Sequence, residues 1–262
     1  IVSNKFFLGL AYKLEAYLYK KSFLVTGQTQ GIVADINKRF PEVPTLWLPN
    51  GIDKDVYSFE DIETDWLEEC AIQGKRLYMY AGIIGHAQGL EVIIKAKQWL
   101  MNNEPEIASG LEFVMIGDGP EKDRLVELDK ELETKIVFIP NTPKQKVMRM
   151  IKNASGYIVP LKKLNLFLGA IPSKIFDPLA LGIPVLLGVD GEARNIFIEQ
   201  GKGGLFYEPE NYEALANAIV QLENDKNLAK KLGEQGKEYV EKNFDRKNIA
   251  MSFKDRVQTL DS

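Results

Sequence analysis

The chain has one cysteine, Cys70, and one histidine, His86, among its 262 residues. That excludes a disulfide framework and a cysteine-rich zinc site, and it leaves Ser-His or Cys-His triads and most metal chemistry almost nothing to draw on. No apolar run approaches the roughly 20 residues of a transmembrane helix, and no signal peptide opens the chain. Lys and Arg are spread rather than blocked, and the formal net charge is −4, so nothing draws the whole molecule to nucleic acid. Any anion must be bound locally. A cytoplasmic chain is the simplest account of this composition. There is no initiator Met, so Ile1 looks like a cut inside a longer protein, and the expectation is a fragment.

What is present is 45% hydrophobic and 27% charged residues, enough for one large or two modest cores. Phe6 to Lys21 place Phe6, Phe7, Leu10, Leu14, Tyr17 and Leu18 on one helical stripe, with Lys13, Glu15, Lys20 and Lys21 off it. Two readings are open: the stripe packs against a domain, or it rests on an anionic membrane surface where aromatics and lysines mix. Ser22–Thr26 then reads as a strand, Thr29–Phe40 as a helix closed by Pro41, and Thr45–Leu48 as a strand ended by Pro49, Asn50 and Gly51. Asp53 to Lys75 is acidic and weakly periodic, which suggests a passage between domains, with Cys70 a buried small residue in it.

A regular alternation follows. Strands are expected at Leu77–Ala81, Leu111–Ile116, Ile136–Ile139, Gly156–Pro160 and Val185–Leu187. Helices are expected between them at Gly89–Asn102, Glu121–Leu132, Lys144–Asn153 and Lys174–Leu181. This is the pattern of an α/β fold, a Rossmann-like parallel sheet flanked by helices. Asn211–Lys242 adds one or two charged amphipathic helices on the outside of the sheet, and Asn248–Leu260 another helix.

Ligands of parallel sheets sit beyond the carboxyl ends of the strands, so the loops there are the candidates. Gly82-Ile-Ile-Gly85-His-Ala-Gln88-Gly89 is a glycine-rich turn entering a helix, which lets backbone approach a ligand closely. It lacks the G-x-G-x-x-G spacing and the acid of a dinucleotide fingerprint, which argues against a dehydrogenase. Gly117-Asp118-Gly119-Pro120 is a second such turn, with Asp118 either capping or touching ligand. His86 reads as a surface residue or local donor rather than a base. Glu192, in Asp190-Gly-Glu-Ala, binds a ligand hydroxyl or caps the next helix; both readings stand.

The stretch Ile171–Val185, IPSKIFDPLALGIPV, reads as a loop, a short helix and a buried strand. After Pro172, Ser173 can cap the helix, and Lys174 adds a full positive charge where the first free N–H groups point. Asp177, one turn on, can accept from a pair of sugar hydroxyls. The plainer reading is that PSK only starts a helix and Asp177 is a solvated first-turn acid. Both are open at the level of this stretch.

Taken together, the motifs resemble the retaining, nucleotide-sugar-dependent glycosyltransferases of family 4, which have the GT-B architecture of two facing Rossmann-like domains. The residues that carry the resemblance are LPNGID at 48–53, AGIIGHAQGLEVIIKA at 81–96, VMIGDGPEKDRL at 114–125 and VFIPNTPKQKVMRMIKNASGYIVPL at 137–161. PSKIFDPLALGIPVLL at 172–187, GEA at 191–193 and GGLFYEPENYEALANAI at 203–219 complete them. The PSK, AQGL and GEA wording is most similar to bacterial surface-polysaccharide enzymes, including those that resemble N-acetylfucosamine transferases.

The resemblance implies that 1–54 is a remnant of an N-terminal acceptor domain with its hinge and that 55–245 is the donor-binding domain. Residues 246–262 would then be a helix packing back toward the N-terminal part. It also implies that Lys174 and Asp177 are the catalytic pair, Asp177 taking the place of a ribose-binding Glu. Gly85, Gln88 and Gly89 would lie near the diphosphate, with Pro172 and Ser173 beside them. Gly117, Asp118 and Gly119 would lie beside the nucleoside, Asn141 at the base, and Glu192 at a ligand hydroxyl. Two positions depart from the family: Gln88-Gly89 stands where Lys-Gly is usual, and Gly169 where a paired acid is usual.

The implied substrate is a nucleotide-sugar, UDP-linked, with a saccharide or polyprenyl-linked acceptor. No metal and no separate cofactor are expected, peripheral membrane association is compatible, and an isolated fragment would bind donor better than it turns over. Two other classes are carried: a nucleotide-sugar epimerase or phosphorylase on the same scaffold, and a non-catalytic nucleotide-sugar-binding module.

Overall fold

The computed structural model describes residues 5–57, 59 and 64–261. The first four residues of the expected 1–54 segment, residues 58 and 60–63 of the acidic stretch, and Ser262 lie outside the described residues. The chain divides into two compact units, one made of Ile1–Asn50 and Arg246–Ser262, the other of Gly51–Asp245.

The smaller unit holds α1 (Lys5–Lys21), β1 (Val25–Gly27), α2 (Gln30–Arg39) and β2 (Thr45–Trp47). Its strands pair in parallel, as a βαβ crossover requires. Thr29 caps α2, its hydroxyl accepting from Ile32 N at 3.2 Å. Arg39 at the other end of α2 bridges Asp35 and Glu15, which ties α2 to α1. The α1 stripe stays exposed along its length, from Phe6 at 75% to Leu18 at 53%.

In the larger unit, the turn Lys54–Tyr57 and α3 (Asp65–Glu69) lead into β3 (Arg76–Ala81). The described residues of the acidic stretch fall within the larger unit, where Trp66 and Ile72 are buried. The chain continues through α4 (Glu91–Asn103), α5 (Pro105–Ser109), β4 (Leu111–Ile116), α6 (Lys122–Glu131), β5 (Val137–Ile139), α7 (Lys144–Ile151) and β6 (Ala154–Pro160). Turns at Asn165–Gly169 and Ser173–Ile175 precede α8 (Phe176–Ala180) and β7 (Val185–Gly188). A π-helical segment, Arg194–Gln200, leads to β8 (Gly204–Phe206), α9 (Tyr212–Asn224) and α10 (Lys226–Asn243). The last helix, α11 (Arg246–Asp261), belongs to the smaller unit.

The six strands form one parallel sheet in the order β5-β4-β3-β6-β7-β8. Its strands are apolar on both faces because helices cover both. Tyr78, Phe113, Met115, Ile158 and Leu186 face one core together with Leu100 of α4, Leu125 of α6 and Ile219 of α9. On α8, Phe176 meets Phe197 and Phe244 edge to face, ring centroids 5.4 Å apart. The sequence pattern missed α3, α5 and β8, which have five, five and three residues, and the helix expected after Glu192 is π-helical.

Candidate functional site

The sheet order makes the gap between β3 and β6 the topological switch point, where crossovers leave in opposite directions. On its β4 side, β3 keeps its ladder past Ala81, with Gly82 N donating to Ile116 O at 2.9 Å. On its β6 side the pairing stops at Met79 and Tyr157. There the Tyr157 hydroxyl accepts from Ala81 N and donates to Ala81 O, both at 3.0 Å. A cavity of about 170 Å³ opens at this point, lined in part by Gly82, Gly117, Asn141, Tyr157, Lys174 and Asp177.

The two glycine turns above the gap are interlocked. Gly82 and Gly117 both have φ of +142°, and a Cβ on Gly117 would stand 2.0 Å from Gly82 O. No side chain fits there. Ile84 N donates to Asp118 O at 2.8 Å, and Glu121 N to Ile84 O at 3.1 Å, so the loops after β3 and β4 are tied to each other. A second cavity of about 220 Å³ lies beyond the ends of β6, β7 and β8, lined in part by Leu161, Lys162, Leu164, Asn165, Leu168 and Asp190. Lys162 N donates to Ala87 O at 2.9 Å, so its rim touches the far end of the first glycine turn.

Lys174 reaches under Gly82, where a Cβ would be 3.0 Å from its Nζ. The amine sits 4.0 Å from the centroid of the Tyr80 ring and donates to the Tyr80 hydroxyl. Among the described residues no carboxylate pairs with it, and burial pushes its pKa down to about 7. Asp177 accepts from the Tyr57 hydroxyl at 2.5 Å and lies 3.3 Å from Lys144 Nζ. Burial pushes the Tyr80 and Tyr157 hydroxyls well above the ordinary phenol range, so both stay protonated donors.

A family profile described as Glycosyl transferases group 1 matches residues 63–239. The chain belongs to this family. WcaI of Escherichia coli, which bears the name of a colanic acid biosynthesis glycosyl transferase, is 28% identical over 182 residues, 68% of this chain and 42% of WcaI. An uncharacterized glycosyltransferase of Methanocaldococcus jannaschii is 22% identical over 247 residues, 93% of this chain and 60% of that protein. The chain spans about half the length of these curated relatives. The crystal structure of HepE from Anabaena in complex with UDP and glucose has a TM-score of 0.77 at 16% identity, covering 92% of this chain and 64% of HepE. That likeness establishes the shared fold, of the GT-B kind.

Of the residues expected at a site, this group 1 glycosyl transferase chain brings Gly117, Asn141, Lys174 and Asp177 to one cavity. Gly85, Gln88 and Gly89 carry the first glycine turn away from it, toward Lys162. Asp118 does not cap α6; its carboxylate accepts from Gly119 N at 2.8 Å, and Glu121 holds the cap position. Ser173 does not cap either. Pro172 occupies that position, so Ser173 is already inside the turn, with its side chain exposed.

Lys174 is not the full positive charge expected, because burial disfavours its ammonium. Glu192 is not among the lining of either cavity and directly precedes Ala193, the cap position of the π-helical segment. His86 is an exposed partner of Glu121. Cys70 is half-buried rather than buried, and burial pushes its thiol up. Tyr80 and Tyr157 escaped the sequence reading because an aromatic in an apolar strand reads as core. Tyr57 lies in a stretch with no pattern, and Lys144 looks like any first-turn lysine. Among the described residues no helix is long and apolar enough to cross a membrane.

Proposed function

We propose that this chain is the donor-binding portion of a retaining glycosyltransferase that moves a sugar from a nucleoside diphosphate, UDP in particular, to a saccharide or lipid-linked saccharide. Residues 1–54 are then the end of an acceptor domain, 55–245 the donor domain, and 246–262 a helix returning to the first part. The observation that carries the reading is a largely buried lysine, Lys174, with no carboxylate partner among the described residues, held under the backbone of Gly82 at the mouth of a strand-end cavity. A buried amine in that setting lacks a counter-charge, and a diphosphate supplies one.

In this reading the nucleoside occupies the cavity near Asn141, the ribose hydroxyls reach Asp177, and the phosphates lie along Gly82 to Gly89. The second cavity has room for the sugar. When the anomeric C–O bond breaks, its electron pair goes to the diphosphate, and the ammonium of Lys174 stabilises the added charge. No metal or separate cofactor is part of the proposal.

The proposal includes a place in bacterial surface-polysaccharide synthesis on the cytoplasmic side; the name of WcaI, a colanic acid biosynthesis glycosyl transferase, supports the biosynthetic role, and the PSK wording leans to enzymes that resemble N-acetylfucosamine transferases. The exposed stripe of α1, flanked by Lys13, Lys20 and Lys21, suits an anionic membrane surface. Absence of co-sedimentation with anionic vesicles would count against that part alone.

The central reading is tested by calorimetric titration of the chain with UDP, GDP, ADP and UMP, repeated on Lys174→Ala. UDP is expected to bind about tenfold or more tightly than UMP, a gap of about 1.4 kcal/mol, and Lys174→Ala to close that gap. Binding of no nucleotide, or an unchanged gap in Lys174→Ala, would overturn it.

A further inference from the structure

Tyr80 is the penultimate residue of β3 and 1% exposed, its ring part of the core between the sheet and α4. Its hydroxyl emerges at the strand end, where it meets two groups that the proposed anion site needs. A phenol has one proton to give and lone pairs to receive. Tyr80 gives its proton to Ile83 O, at 2.6 Å, inside the glycine turn. Its oxygen therefore faces Lys174 as an acceptor, and the amine, lying over the ring, donates to it. One side chain thus holds the backbone of the 82–85 turn and the terminal nitrogen of a lysine 94 residues away.

We propose that Tyr80 is the positioning residue of the anion site, setting the glycine turn and Lys174 as one unit so that the second phosphate of a nucleoside diphosphate meets both together. The inference rests on the reading of Lys174 as a phosphate ligand. Lysine has four rotatable bonds and loses rotamer freedom when ordered. An amine already ordered by Tyr80 does not lose that freedom again on binding. The charged and titratable groups around the site are Asp177, one turn further along the chain and held by Tyr57 and Lys144, with Lys144 on α7 and the Tyr157 hydroxyl on β6. The ammonium form of Lys174 is disfavoured in the free site by burial, so UDP binding is expected to take up a proton near neutral pH.

The test is Tyr80→Phe, which keeps the ring in the core, measured by calorimetry with UDP and UMP in two buffers of different ionisation enthalpy. The variant is expected to lower the UDP-over-UMP preference about fivefold to tenfold, leave UMP affinity unchanged, and alter the proton uptake that accompanies UDP. A merely structural residue would weaken UMP and UDP in parallel, and that result overturns the inference. So does an unchanged preference in Tyr80→Phe when Lys174→Ala abolishes it, a result that leaves the Lys174 reading standing. A wild-type chain with no preference for UDP over UMP removes both. Should Tyr80→Phe not fold, 3-fluorotyrosine at position 80 keeps ring and hydroxyl but weakens the oxygen as an acceptor. It is expected to lower the preference in the same direction, and an unchanged preference overturns the proposal.

Discussion

The Tyr157 hydroxyl holds both backbone groups of Ala81, accepting from its N–H and donating to its carbonyl, each at 3.0 Å. A side chain has replaced a strand partner at the one place where β3 and β6 stop pairing. The sheet can open a cavity there without leaving buried backbone groups unsatisfied.

Tyr157→Phe should therefore cost far more than a hydroxyl usually does. It strands two buried groups, at about 1–3 kcal/mol each, so a loss of about 2–6 kcal/mol is expected in urea unfolding. A loss under about 0.5 kcal/mol would mean the strand ends re-pair or admit water.

Lys174 makes stability depend on pH in a definite direction. Burial lowers its folded pKa from 10.5 to about 7, so between those values the unfolded chain binds more protons than the folded one. Stability from this group rises with pH across that window, and the cost of burial is fully present below about 7. Lys174→Met should be more stable than the wild type at pH 6, by about 1–3 kcal/mol, with the gap shrinking by pH 10. Unfolding curves at both pH values decide it, and a gap that does not shrink would refute the burial argument.

Two glycines with different surroundings should respond in opposite ways. Gly117→Ala puts a Cβ 2.0 Å from Gly82 O at a φ that side chains rarely adopt, and should cost more than about 2 kcal/mol. Gly169 has nothing within 4 Å of its would-be Cβ, so Gly169→Glu should fold with stability within about 0.5 kcal/mol of the wild type. Thermal melts of the two variants check both. The second variant also returns the acid that the resembling family carries at this position.

Tyr57 occupies an oxygen of Asp177, the acid proposed to take the ribose hydroxyls. Tyr57→Phe should leave that oxygen with Lys144, 3.3 Å away, as its remaining partner and tighten UDP binding by about twofold to tenfold, roughly the net worth of one ordinary hydrogen bond. Weaker binding in calorimetry would instead make Tyr57 part of the bound site.

Much of this arrangement was legible before any coordinates. β4 begins and ends where the expected strand Leu111–Ile116 does, and α2 lies within the expected helix Thr29–Phe40. The glycine turns after β3 and β4 could be named because glycine spacing is a local signal. The short pieces were not legible: a five-residue helix or a three-residue strand offers too few positions for a period to register. Ser173 is a cap residue by type, but Pro172 moves the start of the turn one residue earlier.

By itself the sequence determined the alternation of strand and helix, hence a parallel sheet, and with it the edge of that sheet where a ligand would sit. It also placed Lys174 and Asp177 at that edge, through the residue types of one short stretch. Only the tertiary structure decided what those two residues touch. Tyr80 meets Lys174 across 94 positions, Tyr157 meets Ala81 across 76, and Tyr57 meets Asp177 across 120. The physical reason is that periodicity and capping act over a few residues, whereas each of these pairings is made by the strand order that brings distant strand ends and loops together. The protonation of Lys174 follows the same division, since charge is written in the residue and its cost in the burial around it.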